Sequence, residues 1–316
     1  MSGNEQETAN YSSSPSRGRR WKTSERVFNV FNITLMILLC IIFIYPYVNQ
    51  LAVSLNDSND TALGGITVYP RVITFENYNM VFSNSMFTSA LFVSVVRVIV
   101  GCLSGLFVTY SAAYALSKQS LPGRAFFTTV LLIPMFVSGG MIPTFILYRM
   151  MGLMNKFPVY ILPYLFGFYN MIIIRTFLRT IPESLEESAM LDGANSVDIM
   201  FRIYVPLSMP VIATIALWMA VFHWNDWTST LLYVQSKSLH TLQFMMYRLL
   251  KESEVMMQIA ADRARQGLAS GEDVPKITPE SLKAATLMVS TIPIVVVYPF
   301  LQKYFVKGIM IGAIKE

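Results

Sequence analysis

Glu183, Glu186, Glu187, Asp192 and Asp198 crowd one stretch, Glu183 to Pro210 (ESLEESAMLDGANSVDIMFRIYVPLSMP), which lies between two long apolar runs. No nucleophile, base or metal set accompanies these carboxylates. The chemistry open to them is recognition, with charge, a glycine and apolar side chains presented on a small surface. A second candidate set is Phe222–Trp227, FHWNDW, where two indoles, an amide, an imidazole and a carboxylate follow one another. Aromatic faces with polar tips suit a carbohydrate path through Trp224, Asn225, Asp226 and Trp227. The competing reading is an interfacial aromatic belt, which leaves Asn225 and Asp226 unexplained.

Other chemistry is missing from the sequence. There is no G-x-x-x-x-G-K-[ST] phosphate loop and no G-x-S-x-G elbow, so neither ATP binding nor serine hydrolysis is expected of the chain itself. His223 and His240 are the only histidines, too few for a metal site of ordinary spacing. Cys40 and Cys102 both lie in apolar runs and supply no disulfide framework. No catalytic residue, metal or cofactor is expected in this chain.

The elements that must position these residues are membrane helices. Of the 316 residues, 54% are hydrophobic and 14% charged, with a mean hydropathy of +0.49. A soluble domain carries about 25% charged residues. A charge at the bilayer centre costs about 2.5–3.5 kcal/mol on insertion scales, so charge-free windows mark spans. Six windows of 18 to 30 residues run between Arg26 and Asp57, Arg97 and Lys118, Arg124 and Arg149, Lys156 and Arg175, Arg202 and Asp226, and Lys283 and Lys303. They predict spans over Val27–Val48, Val98–Ser117, Ala125–Tyr148, Phe157–Ile174, Val205–Trp227 and Ala284–Leu301. Phe75–Ser94 is mixed and reads as an interfacial helix leading into the second span. Arg97, at the outer headgroup level, reads as a snorkelling anchor or as a buried charge lining a pathway.

Lysine and arginine in the short flanks set the orientation. With the N-terminus inside, thirteen fall on cytoplasmic flanks and four on short outer ones. Both termini and the Glu183–Pro210 segment are therefore expected in the cytoplasm, and the net charge of +5 reflects this topology rather than nucleic acid. The resulting organisation is a disordered tail over 1–26, a transmembrane body over 27–306 with an outer loop over 233–283, and a C-terminal tail over 307–316.

Within the cytoplasmic segment, Thr180 to Glu183 reads as a capping box with proline in the first turn. Gly193 breaks the helix, Ser196 is the expected cap of a second one, and Pro206 and Pro210 are expected to start the fifth span. Two short helices around a glycine elbow result. Leu185, Ala189, Leu191, Val197, Met200, Phe201 and Ile203 give them apolar surface for a partner or for the spans.

This segment resembles the EAA loop of ABC-importer permeases. The family pattern is EAA, three residues, G, nine residues, I, one residue, L-P. Glu187-Ser188-Ala189, Gly193, Ile203 and Val205-Pro206 fall in that register, with Ser188 for Ala and Val205 for Leu, and Asp192-Gly193-Ala194 matches a common D-G-A core. Ala113–Ser117, Leu121–Arg124, Phe222–Trp227 and Tyr298–Gly308 are similar to the maltose-type carbohydrate branch, in its complex-oligosaccharide subgroup.

The resemblance implies an all-α integral membrane protein of the type I importer fold, with six transmembrane helices and a cytoplasmic helix–elbow–helix over 183–206. It implies coupling to an ATPase through Glu187, Ala189, Asp192, Gly193, Ala194, Phe201, Ile203 and Pro206. It further implies a second homologous permease, an ATPase dimer carrying the ATP and Mg, and an extracellular solute-binding protein delivering an oligosaccharide, in a prokaryotic plasma membrane. The alternatives are a permease for another solute such as a peptide, an ion-coupled secondary carrier, and a membrane-anchored receptor or scaffold. The near absence of ionisable residues inside the spans argues against the carrier.

Overall fold

The structure, a computed structural model, describes residues 23–137, 139–265 and 279–313. Most of the expected N-terminal tail (1–22) and part of the expected outer loop (266–278) lie outside the described residues. The chain divides into two units, residues 1–48 and 49–316. The described part of the first belongs to one apolar helix, α1 (Thr23–Ser54), which enters the second unit at its C-terminal end.

In the second unit, residues 54–77 form a hydrogen-bonded knot with the short helices α2 (Ser58–Ala62) and α3 (Glu76–Ser83). Asp57 caps α2 by accepting from the Asn59 and Asp60 amides. The Asn56 side chain donates to Asp60 Oδ2 at 2.8 Å and accepts the Arg71 and Val72 amides at 2.8 and 2.9 Å. Fully buried Asn77 ties Ser54 and Asn56 carbonyls together. Asp60 also takes the Arg71 guanidinium at 2.8 Å, and the Asn56 hydrogen bond, then that of Arg71, holds its carboxyl below the usual range.

The expected interfacial helix over 75–94 is not one element. It is α3 followed by the start of α4 (Ser85–Ser117), a 33-residue helix capped by the Asn84 side chain. At 1.5 Å per residue, α4 spans about 50 Å, well beyond the apolar thickness of a bilayer. Its buried face runs through Ala90, Ser94, Arg97, Gly101, Gly105, Thr109 and Ala113, a helical repeat. Gly101 and Gly105 let α11 (Met209–Asn225) approach closely. A Cβ at Gly101 would collide with the His223 ring, and one at Gly105 would lie 3.4 Å from Met219. Small residues spaced by four serve this packing between membrane helices.

The third and fourth expected spans are each broken. The third is α5 (Arg124–Phe136) and α6 (Met141–Met150), bent by 116°. Gly140 supplies φ +82° at the break, a conformation that a side chain disfavours. The fourth is a pair of 3₁₀ turns over Phe157–Tyr164 followed by α7 (Phe168–Leu178), bent by 49°. Pro158 and Pro163 prevent a regular helix before Gly167.

Helix α8 (Glu183–Leu191) and α9 (Ser196–Ile199) flank the elbow. A π-turn over Met200–Tyr204 and α10 (Val205–Leu207) follow, and an 83° bend then leads into α11. The fifth span thus starts at Met209, not at Val205. Pro206 lies in α10, and Pro210 alone opens α11.

Helix α12 (Thr228–Tyr233) leads into the expected outer loop over 233–283, in which Leu242–Arg265 is helical as α13. The last helix, α14 (Pro279–Ala313), contains the sixth window and continues into the segment read as a C-terminal tail. Among the described residues, two helices are long and apolar enough to cross a membrane singly, and the three bent pairs bring the number to five.

One core cluster joins α4, α7 and the elbow segment, with Ala113, Met171, Ile174, Ile199 and Ile215 nearly or fully buried. Phe92, Leu103 and Phe107 on the other side of α4 are exposed by 60% or more, as lipid-facing residues are.

Candidate functional site

The elbow is built by a helix-end motif. Gly193 has φ +83°, the Ala194 amide donates to Ala189 O at 2.9 Å, and the Gly193 amide donates to Met190 O at 3.0 Å. That pair of bonds closes a helix with a left-handed residue, where glycine avoids the Cβ penalty. The cap of the second helix is Asn195, whose side chain accepts from the Val197 and Asp198 amides at 2.9 Å each. Ser196, the expected cap, is the first residue inside that helix. The capping box is also absent: α8 begins after Pro182 with no side-chain cap, and Thr180 Oγ1 instead donates back to Phe177 O at 2.7 Å.

The segment divides into an outward and an inward face. Leu191 is 90% exposed and Val197 61%, with Met190 and Phe201 also exposed. Glu187, Asp192, Gly193 and Pro206 are exposed too, while Ala189, Ala194 and Ile203 are half-buried against the core. Ile199, Met200 and Tyr204 face inward and are buried. The short helices thus leave apolar side chains exposed while being seated on α4 and α7.

A polar cluster that sequence reasoning did not single out lies on the inward side. Glu186 forms an ion pair with Lys118, the residue that ends α4, and accepts the Tyr204 hydroxyl at 2.7 Å. The Lys118 ammonium also sits 4.2 Å from both the Tyr114 and Tyr204 ring centroids. A groove of about 560 Å³ opens beside it, lined in part by Arg124, Arg179, Glu183 and Glu187.

At the end of α11, the expected path residues have different fates. Trp224 is 6% exposed and donates from Nε1 to Ser290 O at 3.0 Å. Trp227 stacks on Tyr247 with centroids 4.2 Å apart, and Asn225 is exposed. Asp226 turns inward to a buried ion pair with Arg97. Arg97 has no exposed surface, so it is not a snorkelling anchor. It also donates to Asp226 O at 2.9 Å and lies 4.6 Å above the Tyr160 ring. A carboxylate in the turn after α11 holds it inside.

An exposed aromatic pair lies elsewhere. Tyr169 and Trp218 stack with centroids 6.2 Å apart and planes 18° apart, and are 57% and 41% exposed. Beside them a groove of about 340 Å³ runs past Phe166, Gly167 and Asn170. The signal in the sequence was Tyr169-Asn170 inside a charge-free window, where polar atoms need protein or water.

The family described as binding-protein-dependent transport system inner membrane component matches residues 101–311. Protein LplC of Bacillus subtilis is 35% identical over 292 residues, covering 92% of this chain and 95% of its own. The polygalacturonan/rhamnogalacturonan transport system permease protein YtcP of the same organism is 33% identical, covering 92% and 99%. The chain also resembles a solved bacterial ABC transporter involved in the import of the acidic polysaccharide alginate, with a TM-score of 0.80 and 26% identity over 90% of this chain and 99% of that one.

Proposed function

The chain belongs to the family of binding-protein-dependent transport system inner membrane components; it is a transport permease, and we propose that it carries an oligosaccharide through an ATP-driven importer. The observation that carries this reading is the elbow: Leu191 and Val197, 90% and 61% exposed, stand out from a segment whose other face is locked into the core. Exposed apolar side chains rimmed by Glu187 and Asp192 fit a protein partner. That partner is an ATPase dimer, which holds ATP and Mg. A second homologous permease completes the pathway, and an extracellular binding protein delivers the sugar.

Both termini and the elbow face the cytoplasm, as the flanking cations require. Closure of the ATPases on ATP moves the elbow and switches the pathway between outward and inward access. The oligosaccharide assignment is supported by the polysaccharide and galacturonan importers to which the chain is similar. It is also supported by the Tyr169–Trp218 pair, whose faces suit sugar rings. Trp224 and Asp226 face protein instead, which leaves Asn225 and half-buried Trp227 as the outer contacts of the path.

The test is uptake of labelled oligosaccharide by vesicles holding the complete complex. Uptake should need ATP and the binding protein and should survive a collapsed ion gradient. Uptake that vanishes with the gradient makes the protein a secondary carrier. ATP-driven uptake of peptide but no sugar keeps the permease and removes the cargo. No uptake at all favours a receptor or scaffold.

A further inference from the structure

Beyond the apolar core it shares with α4 and α7, the elbow segment is joined to the spans at three places. Its N-terminal end follows α7 through Arg179–Pro182, its C-terminal end turns 83° at Ser208 into α11, and its inward face meets the end of α4 at Lys118. The first two are chain connections with breaks in them, and a break absorbs displacement. The third is a set of side-chain contacts with little slack. Lys118, Glu186 and Tyr204 are far apart in sequence, yet each touches the other two. Tyr114 closes the set, its ring 5.1 Å from that of Tyr204 at 73°, with the ammonium 4.2 Å from both.

The cluster is well shielded. The Lys118 and Glu186 side chains are only 21% and 14% exposed, and Tyr204 is 4% exposed. Ion pairs and cation–π contacts gain strength when desolvated. Lys118 follows the last turn of α4, where free carbonyls favour a cation. Tyr204 closes the π-turn, a helix irregularity common where function needs a side chain re-aimed. Just beyond it, the Tyr110 hydroxyl on α4 meets Ser208 Oγ at 2.7 Å, at the 83° bend. The elbow segment is thus keyed to α4 on either side of α10.

We propose that Lys118, Glu186 and Tyr204 form a positioning node that makes the elbow segment move with α4, so that displacement at the elbow reaches the pathway through α4. The node rests on the reading above, in which an ATPase seats on the elbow. Its side chains are largely shielded whereas Leu191 and Val197 are exposed, so it is distinct from those apolar docking residues.

The test uses the complete complex in vesicles, with ATPase co-purification, ATP hydrolysis and sugar uptake measured on one preparation. Lys118→Met should keep ATPase co-purification and hydrolysis, while uptake per ATP falls roughly tenfold, within the usual range of coupling between sites. Lys118→Arg should retain coupling, and the exchange Lys118→Glu with Glu186→Lys should restore most of it. Tyr204→Phe removes a single hydroxyl with little change of packing and should lower uptake per ATP without loss of assembly. Parental uptake per ATP in both Lys118→Met and Tyr204→Phe overturns the node. So does a loss of uptake in Tyr204→Phe that only follows a loss of bound ATPase. A parental complex without ATP-driven uptake overturns the underlying reading and the node with it.

Discussion

Arg97 and Asp226 stand 129 residues apart in the chain and meet as an ion pair in which the arginine has no exposed surface. Asp226 also accepts the Ser229 amide at 3.1 Å and the Ser229 hydroxyl at 2.5 Å. The pair ties the N-terminal half of α4 to the turn between α11 and α12. Removing one partner of a buried pair costs about 3–5 kcal/mol, because the other charge is left uncompensated. Asp226→Ala should lower the thermal unfolding midpoint in detergent sharply. Arg97→Met combined with Asp226→Leu should be markedly less destabilising than the two single losses added together. Additive losses would show that the pair is not a coupled unit.

A substitution at the elbow acts through the backbone. Nothing lies within 4 Å of a Cβ at Gly193, but φ is +83°. A left-handed residue costs about 1–2 kcal/mol with a side chain, and more for a branched one. Gly193→Val should insert normally, lose transport and co-purify less ATPase, while Gly193→Asn, which tolerates this conformation, should be close to the parent. Asp192→Lys should act like Gly193→Val by reversing a charge on the same face. Parental transport and ATPase retention in both Gly193→Val and Asp192→Lys would remove the docking role.

Tyr169→Ala and Trp218→Ala each open one half of the stacked pair. Each should raise the half-saturating sugar concentration roughly fivefold, the size of an aromatic contact of about 1 kcal/mol, with ATPase binding intact. Unchanged sugar dependence in both would place the pair against lipid or the second permease.

Orientation is open to labelling. With Cys40 and Cys102 replaced, a cysteine at exposed Leu63 should react with an impermeant maleimide in intact cells. One at exposed Ser188 should react only after the membrane is opened. The reverse pattern would invert the topology and put the elbow outside.

Asp60 predicts a pH response in the hydrogen-bonded knot over residues 54–77. Its folded pKa lies below its ordinary value of 3.8, so its contribution is fully present above that value and is lost as pH falls through the folded one. The amides of Asp57 and Thr74, bonded to Val72 O and Leu55 O at 2.9 and 2.8 Å, should lose protection from hydrogen exchange below about pH 4, after correction for intrinsic rates. Asp60→Asn should lack that step.

What the sequence determined on its own is what depends on local composition and spacing. Charge-free windows located the apolar segments, because the bilayer penalises each charge independently of its neighbours. Gly193 between two helical stretches marked the elbow, since the demand for a left-handed residue is local. The EAA-like register indicated the family for the same reason. Tertiary structure decided the rest. Whether Arg97 snorkels or is buried depends on a carboxylate 129 positions away. Whether Trp224 lines a path or packs on Ser290 depends on where α14 lies. The start of α11 at Met209 rather than Val205 follows a π-turn that seats Tyr204 against Lys118 and Glu186. These outcomes come from partners distant in the chain, and burial is settled only when those partners meet.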